Sequence, residues 1–317
     1  MVDELINFID NHWRKDHIFV RNRELFDFQH KNGAIYNFIL ARQDGNIIGI
    51  LGFIPTSQYS EALKVNNELW LAIWKVRDDI KKPGLGLMML NYLKKYHNNP
   101  TICSLGLSQQ VIPIYKALKY NVGVLNHSAF FNQKKCTLTF VVPKINYIVN
   151  CINKFVEVDF VKKIDNLHLD DNIFDSHPKK NLEYLVNRYS NHPSYIYDYL
   201  IFKEENKLLS IVVYRSIVIG DVKIARVIDI LGESIMVEKF NYSISRFLDK
   251  YDFEYLDIVS TFRSEARSGF ISNSNSLTIP NYFEPLEMKN ISVDYAYKSN
   301  IELSIFRGDS DQDRPNI

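Results

Sequence analysis

The chain has 317 residues, and its 38 Lys and Arg residues against 37 Asp and Glu residues give a formal net charge of +1. This balance excludes a global basic or acidic field, so we expect neither nucleic acid nor a membrane as a partner. Hydrophobic residues make up 46% of the chain, which excludes wholesale disorder and provides enough apolar material for two domains.

The first half of the chain is predicted to alternate helices and strands. Apolar residues at helical spacing indicate helices, and alternating apolar residues on both sides of the turn Asp44-Gly45-Asn46 indicate a β-hairpin. A third strand then leads through a loop into a helix. The predicted helices cover residues 4–13, 23–30, 84–96 and 110–119, and the predicted strands cover residues 35–41, 47–53, 69–76 and 101–105.

The second half repeats this order of elements. Predicted strands 197–202, 208–214, 224–231 and 255–260, a helix at 237–248 and a last element at 265–270 follow one another at nearly constant offsets. The separation in sequence between corresponding positions of the two halves is 160 residues for Asn46 and Asn206 and still 150 residues for Tyr120 and Phe270. We therefore expect an α/β protein with two copies of one fold, residues 1–150 and 151–317, each a mixed, mostly antiparallel sheet flanked by helices. The boundary is expected between residues 144 and 158, after a strand at 137–142.

The segment between Val76 and Leu87 is predicted to bind a pyrophosphate. It follows a strand and opens a helix, its glycines let the backbone approach a ligand, and its lysines add positive charge. It lacks the third glycine of GxGxxG and the Gly-Lys-Ser/Thr of a Walker loop. The alternative is an ordinary helix start with proline near its first turn. The predicted site consists of Trp74, Lys75, Val76, Lys81, Lys82, Pro83, Gly84, Leu85, Gly86 and Leu87.

These residues resemble motif A of the GNAT acyltransferase superfamily, Val-x4-Arg/Gln-x2-Gly-x-Gly/Ala, with Lys81 at the Arg/Gln position. The family's second motif, Tyr-x3-Gly-Phe, is similar to the segment that begins at Tyr115, although Lys119-Tyr120 replaces Gly-Phe. The resemblance implies two tandem GNAT-like domains, an acyl-coenzyme A co-substrate bound at the first, and Tyr115 as the acid that protonates the departing thiolate.

The second copy has neither a basic residue nor a second glycine at Asp229-Ile230-Leu231-Gly232-Glu233, so we do not expect it to bind coenzyme A. An active copy followed by a degenerate one resembles the GNAT sugar N-acyltransferases of surface-polysaccharide and O-antigen pathways. These acylate the amino group of dTDP-3-amino-3,6-dideoxyhexoses, with 3-hydroxybutyryl-coenzyme A or acetyl-coenzyme A as the expected donor. Residues 281–285 and 308–315 support this resemblance.

Two residues are candidates for the base that would accept a proton from the amine. Glu68 lies on the strand before Val76, near where many family members carry a carboxylate, and His30 ends the second helix on the expected acceptor side. The resemblance implies that a backbone N–H group at residues 74–76 is the oxyanion donor. Glu68 as a solvated strand-edge charge, His30 as a helix cap and loss of the proton to water remain alternatives.

Further residues are candidates for binding the amino sugar. Asp309, Asp311 and Asp313 do not form a calcium loop, because the Gly and Glu that an EF-hand requires are absent, and we expect no metal. Carboxylates can bind sugar hydroxyls or an ammonium, and Arg314 can pair with a diphosphate, although a solvated tail is the alternative. Charged groups on predicted strands are either paired with one another or line a cleft. The candidates are Arg215, Asp229, Tyr282, Phe283, Asp311 and Arg314, with packing in the core as the alternative for the two aromatic residues.

Remaining features concern the environment of the protein. Three cysteines without a CxxC pair argue against a disulfide framework and a zinc site. The N-terminus lacks a signal-peptide pattern, and the apolar runs have only the length of strands, so we expect a cytoplasmic protein. Paired lysines at 94–95, 134–135, 162–163 and 179–180 are interpreted as solvated faces. An internal duplication can replace a homodimer, so we expect a monomer.

Two other functions stay open. Aminoacyl-tRNA-dependent transferases that extend peptidoglycan bridges also resemble tandem GNAT domains, but they ordinarily lack the pyrophosphate site that this chain retains. A non-catalytic module that binds an acyl-coenzyme A would retain it. Binding without turnover would favour the second alternative.

Overall fold

The structure, a computed structural model, describes residues 2–132, 134, 156–165, 167, 176–265, 267–280 and 287–315. Capping side chains fix the start of several helices. Asn22, for example, precedes the helix Arg23–His30, and its side chain accepts a hydrogen bond from the Leu25 amide. The α-helices are α1 (Val2–Phe8), α2 (Ile18–Arg21), α3 (Arg23–His30), α4 (Leu85–Tyr96), α5 (Ile112–Ala117), α6 (Leu182–Leu185) and α7 (Asn241–Lys250). Single-turn π-helices and 3-10 helices cover Ile9–Trp13, Val186–Ser190, Thr56–Gln58, Glu61–Asn66 and Glu238–Phe240.

The strands form two large sheets and one small hairpin. In chain order they are β1 (Lys31–Asn32), β2 (Ile35–Tyr36), β3 (Phe38–Gln43), β4 (Asn46–Pro55), β5 (Glu68–Val76), β6 (Thr101–Leu105), β7 (Asn121–Val124), β8 (Asn126–Phe131), β9 (Glu157–Val161), β10 (Asp198–Glu204), β11 (Lys207–Ile219), β12 (Val222–Gly232), β13 (Tyr255–Ser260), β14 (Phe270–Ser272) and β15 (Asp294–Lys298).

Both large sheets contain the same unit. In the first, the hairpin β3–β4 pairs antiparallel with β5, helix α4 follows, and β6 returns parallel to β5. In the second, the hairpin β10–β11 pairs antiparallel with β12, helix α7 follows, and β13 returns parallel to β12. The predicted α/β class, with two mixed, mostly antiparallel sheets flanked by helices, is confirmed.

The two sheets exchange one strand. The first sheet has the order β3-β4-β5-β6-β15-β7, and the second has the order β14-β8-β13-β12-β11-β10-β9. Strand β15, from the second half of the sequence, thus lies between two strands of the first half, and β8 lies between two strands of the second half. Backbone hydrogen bonds therefore tie each sheet to the other half of the chain.

A shared apolar core lies between the sheets. Trp70 and Cys103 of the first sheet pack in one buried cluster with Tyr199, Ile211 and Val213 of the second. At about 25 cal/mol per Å² of buried apolar surface, such a contact stabilises both sheets together. The sheets are therefore parts of one packed structure.

The predicted domain boundary and the last predicted element of the second half differ in their outcome. The predicted strand 137–142 and most of the predicted boundary lie outside the described residues, so the division at residue 150 stays a prediction. The predicted element at 265–270 is a turn that leads into β14, so its described residues form no counterpart of α5. This part of the second copy lacks the apolar spacing that would bury a helix.

Candidate active site

A cleft opens between the two parallel strands of the first sheet. Strands β5 and β6 pair over four residues, ending at Leu71 and Ser104, although β5 continues to Val76. Leu71 and Trp74 of β5 pair with Phe53 and Leu51 of β4. Residues 72 and 73 of β5 therefore lie opposite the single residue 52 of β4 and form a bulge. A bulge bends its strand and increases the twist. Beyond Leu71, β5 no longer pairs with β6, and we call the gap between the two strands the first cleft.

The turn from β5 into α4 presents free backbone amides at the open end of the first cleft. Gly84 precedes α4 with φ +79°, and a Cβ atom added to it would meet no atom within 4 Å. Among the described residues, no acceptor is in hydrogen-bonding geometry with the amides of Gly84, Gly86 and Leu87. These amides and the positive end of the helix dipole can bind an anion.

The predicted cationic side chains differ in their availability at this turn. Lys81 and Lys82 are exposed, as is Pro83. Lys75 is instead paired with Asp78, at 2.7 Å between Nζ and Oδ1. Of the three predicted lysines, Lys81 and Lys82 are therefore the two that are accessible to an anion at this turn.

Trp74 connects this turn to the interior of the first cleft. An added Cβ at Gly86 would lie 3.0 Å from Nε1 of Trp74, so a glycine is required for the helix to approach the indole. The indole also meets the ring of Tyr115 in a T-shaped contact, with 6.0 Å between centroids. The structure thus brings together Gly86, Trp74 and Tyr115, which come from two separate sequence motifs.

Tyr115 of α5 is buried, and the side chain of Ser104 on β6 lowers the pKa of its hydroxyl slightly against the larger effect of burial. Burial raises the pKa of Tyr115 to about 12, so the hydroxyl keeps its proton at neutral pH. Ser104 is also the last residue of β6 that pairs with β5. Sequence reasoning missed Ser104, although its position in a short apolar strand marks it as a buried polar group.

Glu68 lies away from the first cleft. It begins β5, eight residues or about 26 Å of extended strand from Val76, and alternation places its side chain on the face opposite Leu71 and Tyr115. Its carboxylate accepts a hydrogen bond of 2.8 Å from the Lys179 amide, and burial raises its pKa. The alternative of a solvated strand-edge charge is wrong, because Glu68 is buried against the second half of the chain.

His30, at the end of α3, is fully buried in an aromatic box. Its ring lies 5.2, 5.4 and 5.0 Å from the rings of Phe19, Phe26 and Phe38. Among the described residues, no partner is in hydrogen-bonding geometry with either ring nitrogen. Burial lowers the pKa of His30 to about 4, against the attraction of the Asp311 carboxylate. The imidazole is therefore neutral at pH 7 and can accept a proton.

We expect acid to destabilise the protein through His30. The unfolded histidine has a pKa of about 6.5, whereas the folded pKa is about 4, so the unfolded state binds the proton first. The stability contributed by the neutral ring is complete above pH 6.5 and decreases by about 3 kcal/mol as the pH falls to 4. Urea unfolding at several pH values should give a flatter pH dependence for His30→Gln. Parallel curves would contradict this assignment.

Lys180 is a buried cation, which corrects the prediction that residues 179–180 form a solvated face. Its side chain is 2% exposed, and its Nζ lies 2.7 Å from Asp229 and 2.9 Å from Asp309. Burial opposes the charge, but the two carboxylates raise the pKa of Lys180. Tyr189 also donates a hydrogen bond of 2.7 Å to Asp229. Charge pattern alone missed Lys180, since its partners lie far along the chain.

Arg215 and Asp229 have different partners and are not paired with each other. Arg215 lies 3.1 Å from Asp313, and its guanidinium stacks 3.4 Å from the centroid of the Tyr195 ring. Arg307 holds the same carboxylate at 3.1 Å. The two arginines lower the pKa of Asp313 to about 2 even though burial opposes ionisation.

Asp311 and Arg314 pair with each other at 2.8 Å, and their side chains are 2% and 11% exposed. The guanidinium of Arg314 lies 5.2 Å from the centroid of the Phe19 ring. The alternative that these residues belong to a solvated tail is therefore wrong. The other two predicted acceptor residues, Tyr282 and Phe283, lie outside the described residues.

Residues 305–314, which we call the crossing segment, fill a second cleft in the second sheet. Strands β12 and β13 part after Val227 and Ile258, as β5 and β6 do in the first sheet. The Gly308 amide donates a hydrogen bond of 2.8 Å to the carbonyl of Ile228 on β12. The neighbouring Arg307 amide donates one of 3.1 Å to the carbonyl of Val259 on β13. The chain's own backbone therefore occupies the place that corresponds to the first cleft.

The described residues contain no group of three or more His, Cys, Asp and Glu side chains placed to hold a metal ion. None of their helices combines the length and the apolar character needed to cross a bilayer.

Comparisons with known proteins concern the fold. No protein family model matches the chain, and no curated protein matches its sequence. A GCN5-related N-acetyltransferase structure from Anabaena variabilis ATCC 29413 has a TM-score of 0.57 at 10% identity, over 93% of this chain and 69% of that chain. A proposed acetyltransferase from Pyrococcus horikoshii has a TM-score of 0.44 at 13% identity, over 98% and 89% of the two chains. A GCN5-related N-acetyltransferase from Sphaerobacter thermophilus has a TM-score of 0.38 at 9% identity, over 88% and 84%.

At such low identity, the Anabaena structure establishes a shared fold. The chain has the fold of that GCN5-related N-acetyltransferase. Function must still be argued from the site, because one fold hosts many activities.

Proposed function

We propose that the protein is an acyl-coenzyme A-dependent N-acyltransferase. The observation that carries the proposal is the first cleft, which has an anion-binding turn at its open end and the protonated hydroxyl of Tyr115 in its wall. An anionic donor and a proton for its leaving group are the two requirements of acyl transfer from a coenzyme A thioester. The first cleft offers a residue for each.

The pyrophosphate of the donor would bind at the turn before α4. The free amides of Gly84, Gly86 and Leu87 would donate hydrogen bonds to it, and Lys81 and Lys82 would balance its charge. The rest of the donor would extend past Trp74 into the first cleft. This binding mode leaves the thioester near Tyr115.

The reaction then follows from the chemistry of a thioester and an amine. The nitrogen lone pair attacks the thioester carbon and forms a C–N bond, and the carbonyl oxygen gains negative charge. Backbone N–H groups of β5 at residues 74–76, beyond its last pair with β6, would stabilise that charge. Collapse of the intermediate breaks the C–S bond, and the thiolate takes the proton of Tyr115.

The proton of the amine needs an acceptor, and His30 is the better of the two candidates. Its ring is neutral, its nitrogens are not committed to a partner among the described residues, and Asp311 would stabilise the imidazolium. Glu68 already accepts a hydrogen bond from the Lys179 amide and is buried against the second half of the chain. We therefore propose His30 as the base and a structural role for Glu68.

The acceptor that we propose is the amino group of a dTDP-linked amino-dideoxy sugar, and the acyl group is 3-hydroxybutyryl or acetyl. This choice rests on the resemblance to the sugar N-acyltransferases. Buried charges beside the crossing segment support a polar acceptor, with Asp311 for the ammonium and Arg314 for the diphosphate. Arg215 and Asp229 would contribute from the second sheet.

The two other functions make different demands. An aminoacyl-tRNA-dependent transferase does not need the anion-binding turn, so that turn favours a coenzyme A donor. A non-catalytic module needs the turn but not the hydroxyl of Tyr115. Turnover therefore separates it from an enzyme.

We expect Tyr115→Phe to reduce kcat by about 100-fold, because the thiolate would leave without a proton donor. The dissociation constant of the donor should change by less than about twofold, since the ring that packs on Trp74 remains. Release of free thiol from 3-hydroxybutyryl-coenzyme A with a dTDP-3-amino-3,6-dideoxyhexose measures the rate. Tyr120→Phe, which removes a buried hydroxyl from a ring that packs on Tyr115, is the matched control and should keep the wild-type rate. A wild-type rate for Tyr115→Phe would assign this residue to packing.

A further inference from the structure

The crossing segment reaches the first cleft as well as the second. Ser310 Oγ donates a hydrogen bond of 3.1 Å to the carbonyl of Leu71, the last residue of β5 that pairs with β6. Two residues later, the side chain of Gln312 lies against Gly106, directly after β6, where an added Cβ would be 2.5 Å from Gln312 Oε1. Residues 310–312 therefore cross from one separating strand to the other at the point where they part.

Buried interactions hold this crossing in place. The Arg188 guanidinium donates hydrogen bonds to the carbonyl oxygens of Gly308, at 3.1 Å from Nε, and of Ser310. Gln312 Nε2 donates one of 3.1 Å to Asp311, which is itself paired with Arg314. The position of the Gln312 side chain is thus fixed by groups outside the first cleft.

The orientation of the donor determines which of its groups would face residues 310–312. A donor held by its pyrophosphate at the turn before α4 extends from the open end of the first cleft toward the closed end. Its acyl group is then the part that points to residues 310–312. Trp74 and Leu71 are three residues apart, or about 10 Å of strand, so the space between the turn and the crossing is limited.

We propose that Ser310 and Gln312 close the inner end of the first cleft and that Gln312 sets the largest acyl group that the donor can carry. This inference rests on the proposed function, because it requires an acyl-coenzyme A in that cleft. It adds a specificity-determining residue that belongs to the second half of the sequence. The second half thereby shapes the donor site in addition to the acceptor site.

Side-chain size at position 312 is the variable to test. Gln312→Ala removes the atoms that reach Gly106 and should admit two or three further methylene groups. Gln312→Leu keeps the bulk but removes the amide, so the wild-type limit should persist. Gln109→Ala, at an exposed position near the same strand end, is the matched control.

Calorimetric titration of the full chain with coenzyme A, acetyl-, butyryl-, hexanoyl- and octanoyl-coenzyme A tests the inference without an acceptor. We expect the affinity for hexanoyl- relative to acetyl-coenzyme A to rise at least about tenfold in Gln312→Ala, and to stay at the wild-type ratio in Gln312→Leu and Gln109→Ala. Free coenzyme A should bind all four proteins equally, which shows that the fold and the turn are intact.

The outcomes separate this inference from the proposed function. If the wild type binds acetyl-coenzyme A but Gln312→Ala keeps the wild-type ratio, Gln312 does not limit the acyl group and only the inference fails. If the wild type binds no thioester, the proposed function fails and the inference fails with it. A raised ratio in Gln109→Ala as well would also overturn it, because the effect would not be specific to the crossing segment.

Discussion

Gly84→Glu should weaken the binding of acetyl-coenzyme A by at least about 100-fold, or roughly 2.7 kcal/mol. Gly84 has φ +79° and its missing side chain would point into open space at the turn before α4. A glutamate there would occupy the place proposed for the pyrophosphate and repel its charge. Calorimetric titration with acetyl- and 3-hydroxybutyryl-coenzyme A measures the loss.

Gly220→Glu is the matched control for this variant. Gly220 lies in the turn between β11 and β12, also has a positive φ, +58°, and also has no atom within 4 Å of an added Cβ. The substitution at Gly220 therefore causes the same kind of backbone strain and the same change of charge as the substitution at Gly84, but in the other sheet. Equal binding by Gly84→Glu and the wild type would remove the turn from the donor site. Equal losses in both variants would attribute the effect to folding.

Lys180→Met should lower the free energy of unfolding by about 3–5 kcal/mol at pH 7. The ammonium of Lys180 lies between Asp229 and Asp309, and both carboxylates are fully buried. Removing the cation leaves two like charges without their compensation in a medium of low dielectric constant. Urea unfolding followed by circular dichroism measures the difference.

Two further variants make this prediction specific. Lys207→Met, on the exposed start of β11, removes a lysine from the surface and should change stability by less than about 0.5 kcal/mol. Adding Asp309→Asn to Lys180→Met removes one of the orphaned charges and should restore part of the loss. A Lys180→Met protein as stable as the wild type would show that the carboxylates are satisfied in another way.

The second cleft gives a physical account of the duplication. In both copies a bulged strand parts from its parallel neighbour, so the backbone geometry that opens a cleft is retained twice. In the second copy the amides of Arg307 and Gly308 donate hydrogen bonds to backbone carbonyls of the two separated strands. Gly308 is required there, because an added Cβ would lie 2.4 Å from the hydroxyl of Tyr189. That the second copy does not bind coenzyme A stays a prediction.

Local features of the candidate site were predictable from the sequence. The strand before Val76, the glycines of the turn and the start of α4 depend on residues close together in the chain, and short-range patterns report such structure well. The repeated order of elements was also visible, since hairpins and helices leave the same local signals in each copy. The contact of Trp74 with Tyr115 follows once both motifs belong to one cleft.

Long-range pairing was decided only by the tertiary structure. Neither β8 nor β15 was predicted from the sequence. A local pattern also does not show which sheet a strand joins, because backbone hydrogen bonds are the same for any partner. The burial of Lys180 and the course of the crossing segment depend on residues far away in the sequence. The sequence by itself therefore determined the two units and the glycine-containing turn before α4. The fold decided which charges are buried and which residues close the clefts, since both depend on how the two halves pack together.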